Sequence, residues 1–123
     1  MSIPKTKYIP PVVLIVGAIV LALVFSEDEL RGKASYYSDA LQGSPTASGE
    51  PYDPGEYTAA HRELDFGTEV EVTYPETGES VIVVINDRGP HTDDRIIDLS
   101  KAAAQEIGLI DDGVGTVELR PLD

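Results

Sequence analysis

The chain has no cysteine and no tryptophan, two phenylalanines, one methionine, and nine basic residues against 22 acidic ones over 123 positions. Without cysteine there is no thiol nucleophile, no thiolate metal ligand and no disulfide of the kind that staples many small exported domains. Any fold must therefore stand on its hydrophobic core. Lysine is confined to Lys5, Lys7, Lys33 and Lys101, and a net charge of −13 repels nucleic acid. The two histidines, His61 and His91, stand 30 residues apart without HExxH or similar spacing, so neither a metal nor a cofactor is expected. With so few other aromatics, some of the six tyrosines must serve as core.

One long apolar run is present. Residues 12–25, VVLIVGAIVLALVF, follow Lys5 and Lys7 and precede Glu27, Asp28 and Glu29. Positive charge before the run and negative charge after it put the N-terminus inside the membrane and the rest of the chain outside. Fourteen helical residues rise about 21 Å and residues 8–26 about 28 Å, against a hydrocarbon core of about 30 Å. Length alone therefore does not separate a cleaved signal from a retained anchor. Setting Lys5 and Lys7 aside leaves seven basic residues and a net charge of −15 on the exported part.

The remainder allows one small domain. Residues 26–32 read as a tether, 34–37 as a first strand, and the stretch through Gly55 as a long Gly, Ser and Pro-rich loop. Residues 58–61 are short and apolar, and TEVEVT (68–73) alternates with Val70 and Val72 inward. ETGE (76–79) makes a hairpin turn into SVIVVIN (80–86), with Val81, Val83 and Ile85 on one face and Ile82, Val84 and Asn86 on the other. Residues 95–99 form another strand, and Ser100 caps a short helix over 101–107 that Gly108 stops. GTVELR (115–120) closes the series with Val117 and Leu119 on one side. Five or six short strands and one helix suit a small closed barrel.

Three polar runs, TASGE (46–50), TAAH (58–61) and NDRGP (86–90), are spaced so that Glu50, His61 and Asp87 could meet in one cleft. Asp87 stands at a strand end before the breaker pair Gly89-Pro90, where a rigid scaffold can aim it. By position alone it caps the turn into Arg88 and Gly89 as readily as it moves a proton. Glu50 alone would be a solvent-facing loop residue, and His61 alone a satisfied rim or core histidine.

In order, KASYY (33–37), TASGEPYD (46–53), TAAHRELDFGT (58–68), VINDRGP (84–90), RIIDLSKAAA (95–104) and IGLIDDGVGTVEL (107–119) resemble the RlpA-like (rare lipoprotein A) family, cell-wall lytic transglycosylases on a double-psi β-barrel. The resemblance implies a mainly β fold, a six-stranded double-psi barrel with one short helix over residues 31–123, after a signal or anchor segment and tether over residues 1–30. It also implies endolytic cleavage of MurNAc-GlcNAc bonds in stem-peptide-poor murein, with 1,6-anhydro product ends. The partner would be peptidoglycan glycan, for a monomer in the cell envelope that touches the membrane only through an uncleaved N-terminal helix. With no cysteine, no lipid attachment is expected, and from the chain length the C-terminal peptidoglycan-binding domain of many members is not expected either.

A hydrolase needs two carboxylates, whereas a lytic transglycosylase, in which the sugar's own C6 hydroxyl attacks, needs only one residue acting first as acid and then as base. The resemblance gives that role to Asp87, with Glu50 as a second cleft carboxylate and His61 orienting a carboxylate or the glycan. Arg88 could pair with Asp87 or Asp98, or hold a lactyl carboxylate bidentately. Asp98 reads first as a backbone cap near the helix start, although related double-psi barrel glycosidases carry an acid nearby. Among Tyr36, Tyr37, Tyr52 and Tyr57, which flank the polar runs, Tyr37 and Tyr52 join Arg88 and Asp98 as substrate-binding candidates. Three departures from the family pattern, Gln42 for a usual His, Asp65 for a usual Pro and His91 for a usual aromatic or apolar residue, bear on substrate preference. The other classes of reading are a non-catalytic glycan-binding barrel like the expansin and barwin modules, and an envelope scaffold.

The acidic, lysine-poor surface suits high salt. Its melting temperature should rise from low ionic strength to about 1 M salt, where the Debye length falls to about 3 Å and self-repulsion is screened. A melting temperature that is flat or falls across a salt series would reject this reading.

Overall fold

Six strands, β1 (Arg31–Tyr36), β2 (Thr58–Ala60), β3 (Glu69–Tyr74), β4 (Glu79–Asp87), β5 (Arg95–Leu99) and β6 (Gly115–Pro121), close in the order β1-β5-β2-β4-β3-β6 in a computed structural model that describes residues 30–122. Between β5 and β6 lies one α-helix, α1 (Lys101–Glu106). The expected signal or anchor lies, apart from Leu30, outside the described residues. The expected six-stranded double-psi barrel with one short helix is the fold observed.

The alternation legible in the sequence is what fills the barrel. Val70 and Val72 of β3, Val81, Val83 and Ile85 of β4, and Val117 and Leu119 of β6 are all buried, while Ile82 is 49% exposed on the outer face. Ile97 and Leu99 of β5 join them, and α1 packs on β4, β1 and β5 with Ala103 and Ala104 buried. Ser100 caps α1 by accepting from the Ala103 amide, and its hydroxyl also accepts from the Thr58 amide of β2. Two features departed from expectation. Strand β1 starts at Arg31 rather than at residue 34, because Arg31 to Ala34 pair with Glu118 to Gly115 of β6. A 3-10 turn, Asp39–Leu41, capped by Ser38, interrupts the long loop.

Pairing is mixed. β3-β4, β3-β6, β1-β6 and β2-β5 run antiparallel, whereas β1-β5 and β2-β4 run parallel. The β3-β4 hairpin turns at Gly78, whose φ of +77° is the left-handed conformation glycine adopts without cost.

Tyr74, at the end of β3, ties this hairpin to the loop before β6. Its hydroxyl donates to Asp112 Oδ2 at 2.5 Å, and its ring covers Gly115 so closely that a Cβ there would lie 2.6 Å from the phenol oxygen. The hydrogen bond to Asp112, helped by burial, keeps the phenol protonated and pushes its pKa up to about 12. An unfolded tyrosine ionises near 10, so this contribution is whole below pH 10 and is lost as pH rises through 12. Tyr74→Phe should lower stability at neutral pH by about 1–3 kcal/mol and flatten the loss of melting temperature between pH 10 and 12. An unchanged alkaline slope would show that Tyr74 does not carry it.

Candidate functional site

One row of residues crosses four neighbouring strands. Asp87 of β4 is in register with Ala60 of β2, Ala60 with Asp98 of β5, and Asp98 with Ser35 of β1. Residues in register leave a sheet on the same side. The two carboxylates therefore flank the Ala60 methyl, which is too small to fill the space between them. Both parallel pairs carry a register irregularity beside this row: β2-β4 passes from Ala59↔Ile85 to Ala60↔Asp87, skipping Asn86, and β1-β5 passes from Lys33↔Arg95 to Ala34↔Ile97, skipping Ile96. Such bulges re-aim side chains. The hollow over the row measures about 280 Å³, and its wall also includes Tyr37, Arg88, His91 and Arg95 together with Tyr36, Ser38 and Leu41. A larger hollow of about 510 Å³ beside Arg31, Tyr74 and Asp112 contains none of the predicted site residues.

Asp87 is held from three directions. Its Oδ1 accepts from the Ala47 amide at 2.8 Å and from the Arg88 amide at 2.9 Å, and its Oδ2 accepts from the Tyr37 hydroxyl. Burial, and then the hydrogen bond to Asp87, push the Tyr37 phenol well above the usual tyrosine range, so it stays neutral. Tyr37 is itself fixed by stacking on Tyr52, with ring centroids 4.3 Å apart and planes 14° apart. Tyr52 is 3% exposed and its hydroxyl accepts from the Lys101 amide at the start of α1, so it buttresses Tyr37 from behind.

The TASGE loop docks on the end of β4. Besides the Ala47 contact, the Ser48 amide donates to Asn86 O at 3.2 Å, and Glu50 Oε1 accepts from Asn86 Nδ2 at 3.3 Å. Glu50 thus sits next to Asp87 along the chain it grips, without lining the hollow. His61 is buried; its Nδ1 accepts from the amides of Glu63 and Leu64 at 3.0 and 3.1 Å, so the neutral ring carries its proton on Nε2. The His61 amide donates to Asp87 O at 3.2 Å.

Two expectations need correction. Arg88 pairs with neither Asp87 nor Asp98: its Nη1 donates to the carbonyls of His61 (3.1 Å) and Leu64 (2.9 Å), and its guanidinium lies 4.1 Å from the Phe66 ring centroid. Asp98 is not a helix cap, a task Ser100 performs; its Oδ1 accepts from Ser35 Oγ at 2.5 Å and it lines the hollow. The sequence held the signal for this, since alternation with Ile97 and Leu99 inward turns Asp98 the other way. Ser35, Ala60 and Arg95 escaped the sequence reading because their part depends on register across strands. Of the departures, His91 lines the hollow, whereas Gln42 and Asp65 do not.

Comparison with known proteins follows this geometry. Residues 29–119 match the family described as "Lytic transglycolase". A probable endolytic peptidoglycan transglycosylase RlpA of Treponema pallidum is 52% identical over 93 residues, 76% of this chain and 29% of that protein. The corresponding protein of Synechocystis is 45% identical over 116 residues, 89% of this chain and 36% of that protein, so the chain spans about a third of the length of these relatives. Among solved structures, a Streptomyces papain inhibitor superposes with a TM-score of 0.56 at 31% identity, covering 72% of this chain and 90% of that one. A Clavibacter michiganensis expansin superposes at 0.60 with 24% identity over 76% of this chain and 50% of that one, a likeness of fold alone.

The β4-β5 connection that carries His91 is clamped by Arg62. Its Nε donates to Pro90 O at 2.9 Å, and its Nη2 donates to Thr92 O and to Arg95 O, the latter at 2.6 Å. Arg62→Ala should speed hydrogen exchange of the amides over residues 91–95 and cost about 1–3 kcal/mol. Exchange there at the wild-type rate would mean that the loop holds itself.

Proposed function

Since this chain belongs to the RlpA-like lytic transglycolase family, we propose that its barrel is an exported domain that cuts MurNAc-GlcNAc bonds within stem-peptide-poor murein glycan and leaves 1,6-anhydro ends. The observation that carries the reading is Asp87: a carboxylate at a strand end, on the wall of a hollow, with three donors fixing both of its oxygens.

The reaction needs one proton moved twice. Asp87 in its acid form gives a proton to the glycosidic oxygen as the C1–O4 bond breaks. The muramic C6 hydroxyl then bonds through O6 to C1, and the carboxylate takes the hydroxyl proton. One glycosidic bond is replaced by an intramolecular one between C1 and O6, no water is consumed, and Asp87 ends as it began. Tyr37 suits both stages, because its neutral phenol can donate to a carboxyl oxygen of Asp87 in either form and leaves the acid proton for the glycosidic oxygen. Fixed donors and a fixed acceptor require little reorganisation during the step.

Glu50 and His61 act in this scheme by positioning Asp87, Glu50 through Asn86 and the TASGE loop, His61 through its amide on Asp87 O and its carbonyl on Arg88. A second reading, a hydrolase, draws on Asp98, which stands two strands from Asp87 in the same hollow. The products separate the two.

Asp87→Asn keeps the side chain's shape and reach while removing proton transfer. Turnover of denuded glycan should fall about 10²–10⁴-fold with binding and folding retained, and wild-type products should carry 1,6-anhydro ends by mass spectrometry. Glu50→Gln should cost less. A folded Asp87→Asn variant with near wild-type turnover would remove Asp87 from the mechanism, and reducing-end products would make the enzyme a hydrolase.

A further inference from the structure

The chain is strongly acidic, yet its hollow balances two arginines against two aspartates. The molecule carries −13 overall, yet Arg88 and Arg95 both line one space of about 280 Å³. A net-negative protein repels an anionic polymer at long range, and Asp87 and Asp98 add two carboxylates at the point of binding. Cations gathered there need a reason.

Arg88 has a structural one, since its Nη1 is bound to the carbonyls of His61 and Leu64 and its plane covers Phe66. Arg95 has none of that strength. Its Nη1 donates to Ser35 Oγ at 3.0 Å, and its Nε lies 3.9 Å from Asp94, a carboxylate 69% exposed. An exposed pair at such a separation contributes little. Arg95 is nevertheless held in place: Ser35 donates onward to Asp98, Arg62 holds the Arg95 carbonyl, and the β1-β5 bulge at Ile96 sets the strand's direction. A guanidinium offers five donors in a planar fork that matches a carboxylate. Here most of that fork has no protein acceptor among the described residues.

We propose that Arg95 is the specificity-determining residue of the site, forking onto the free lactyl carboxylate of a muramic residue seated over Ala60 beside Asp87. The proposal rests on the murein reading above. A stem peptide joined through an amide removes that negative charge, so Arg95 would select stripped strands by charge as well as by size. It also takes over the carboxylate-holding part that the sequence had suggested for Arg88.

The test is a binding titration of the full chain in detergent with two soluble probes: MurNAc-GlcNAc oligosaccharides with free lactyl carboxylates, and the same oligosaccharides with those groups converted to methylamides. The wild type should bind the free acid about tenfold more tightly. Arg95→Gln should bind both at the methylamide level, and Arg95→Lys should keep part of the preference. A wild type without preference, or an Arg95→Gln variant that weakens both probes equally, would overturn the proposal and leave Arg95 a support for Ser35 and Asp98. Failure of the wild type to bind either probe would overturn it too. Products are assayed separately: a preference that depends on Arg95, with no 1,6-anhydro ends formed, would sink the transglycosylase reading and leave the carboxylate reader standing.

Discussion

Closure of the sheet by β1 is the constraint on which the rest depends. Strand β1 pairs with β5 on one side and β6 on the other, so all six strands have two neighbours and no edge is left for another chain to add to. A protein without cysteine has no covalent substitute for this, and its stability has to come from the residues that closure encloses. Closure also dictates the connections. Parallel pairs cannot be joined by tight hairpins, so the β1-β5 and β2-β4 pairings require long excursions of the chain. The excursion between β1 and β5 carries both TASGE, which docks on the end of β4, and the loop with His91, which lines the hollow over Asp87 and Asp98.

The same geometry explains why the polar residues can be rigid without being in regular structure. Asp87 gathers the residue after β1 through Tyr37, the long loop through Ala47 and its own following turn through Arg88. Two of these donors are tied in turn, Tyr37 through Tyr52 to α1 and Ala47 through its neighbour Ser48 to Asn86 of β4. Precision at the carboxylate therefore comes from the barrel and helix rather than from the loop's own sequence. The proton transfer proposed for Asp87 needs such precision, since its effect depends on geometry held to a fraction of an ångström.

Much of the fold was legible because a half-buried strand writes a period of two. Val70 and Val72, Val81 to Ile85, and Val117 and Leu119 announced their strands and their inward faces, and Ser100 with Gly108 announced the helix ends. The start of β1 was not legible, because Arg31, Gly32 and Lys33 pair through their backbone with β6 and have no apolar alternation to show for it. The site was legible to the extent that it followed from motifs. Asp87 at a strand end could be read. The neighbours of Asp87 across the sheet could not, since a shift of one residue at either bulge would change every partner.

Ala60 shows how the two kinds of information combine. In the sequence it is one more small residue in an apolar run, with no chemistry to attract notice. In the barrel it stands between Asp87 and Asp98, on the one strand that is hydrogen-bonded to both β4 and β5. Any larger side chain there would fill the hollow between the two carboxylates. Asp87 is thus only half of the candidate site. The other half is a missing side chain, set in register by two bulges, beside an arginine whose charge is opposite to that of the molecule that carries it.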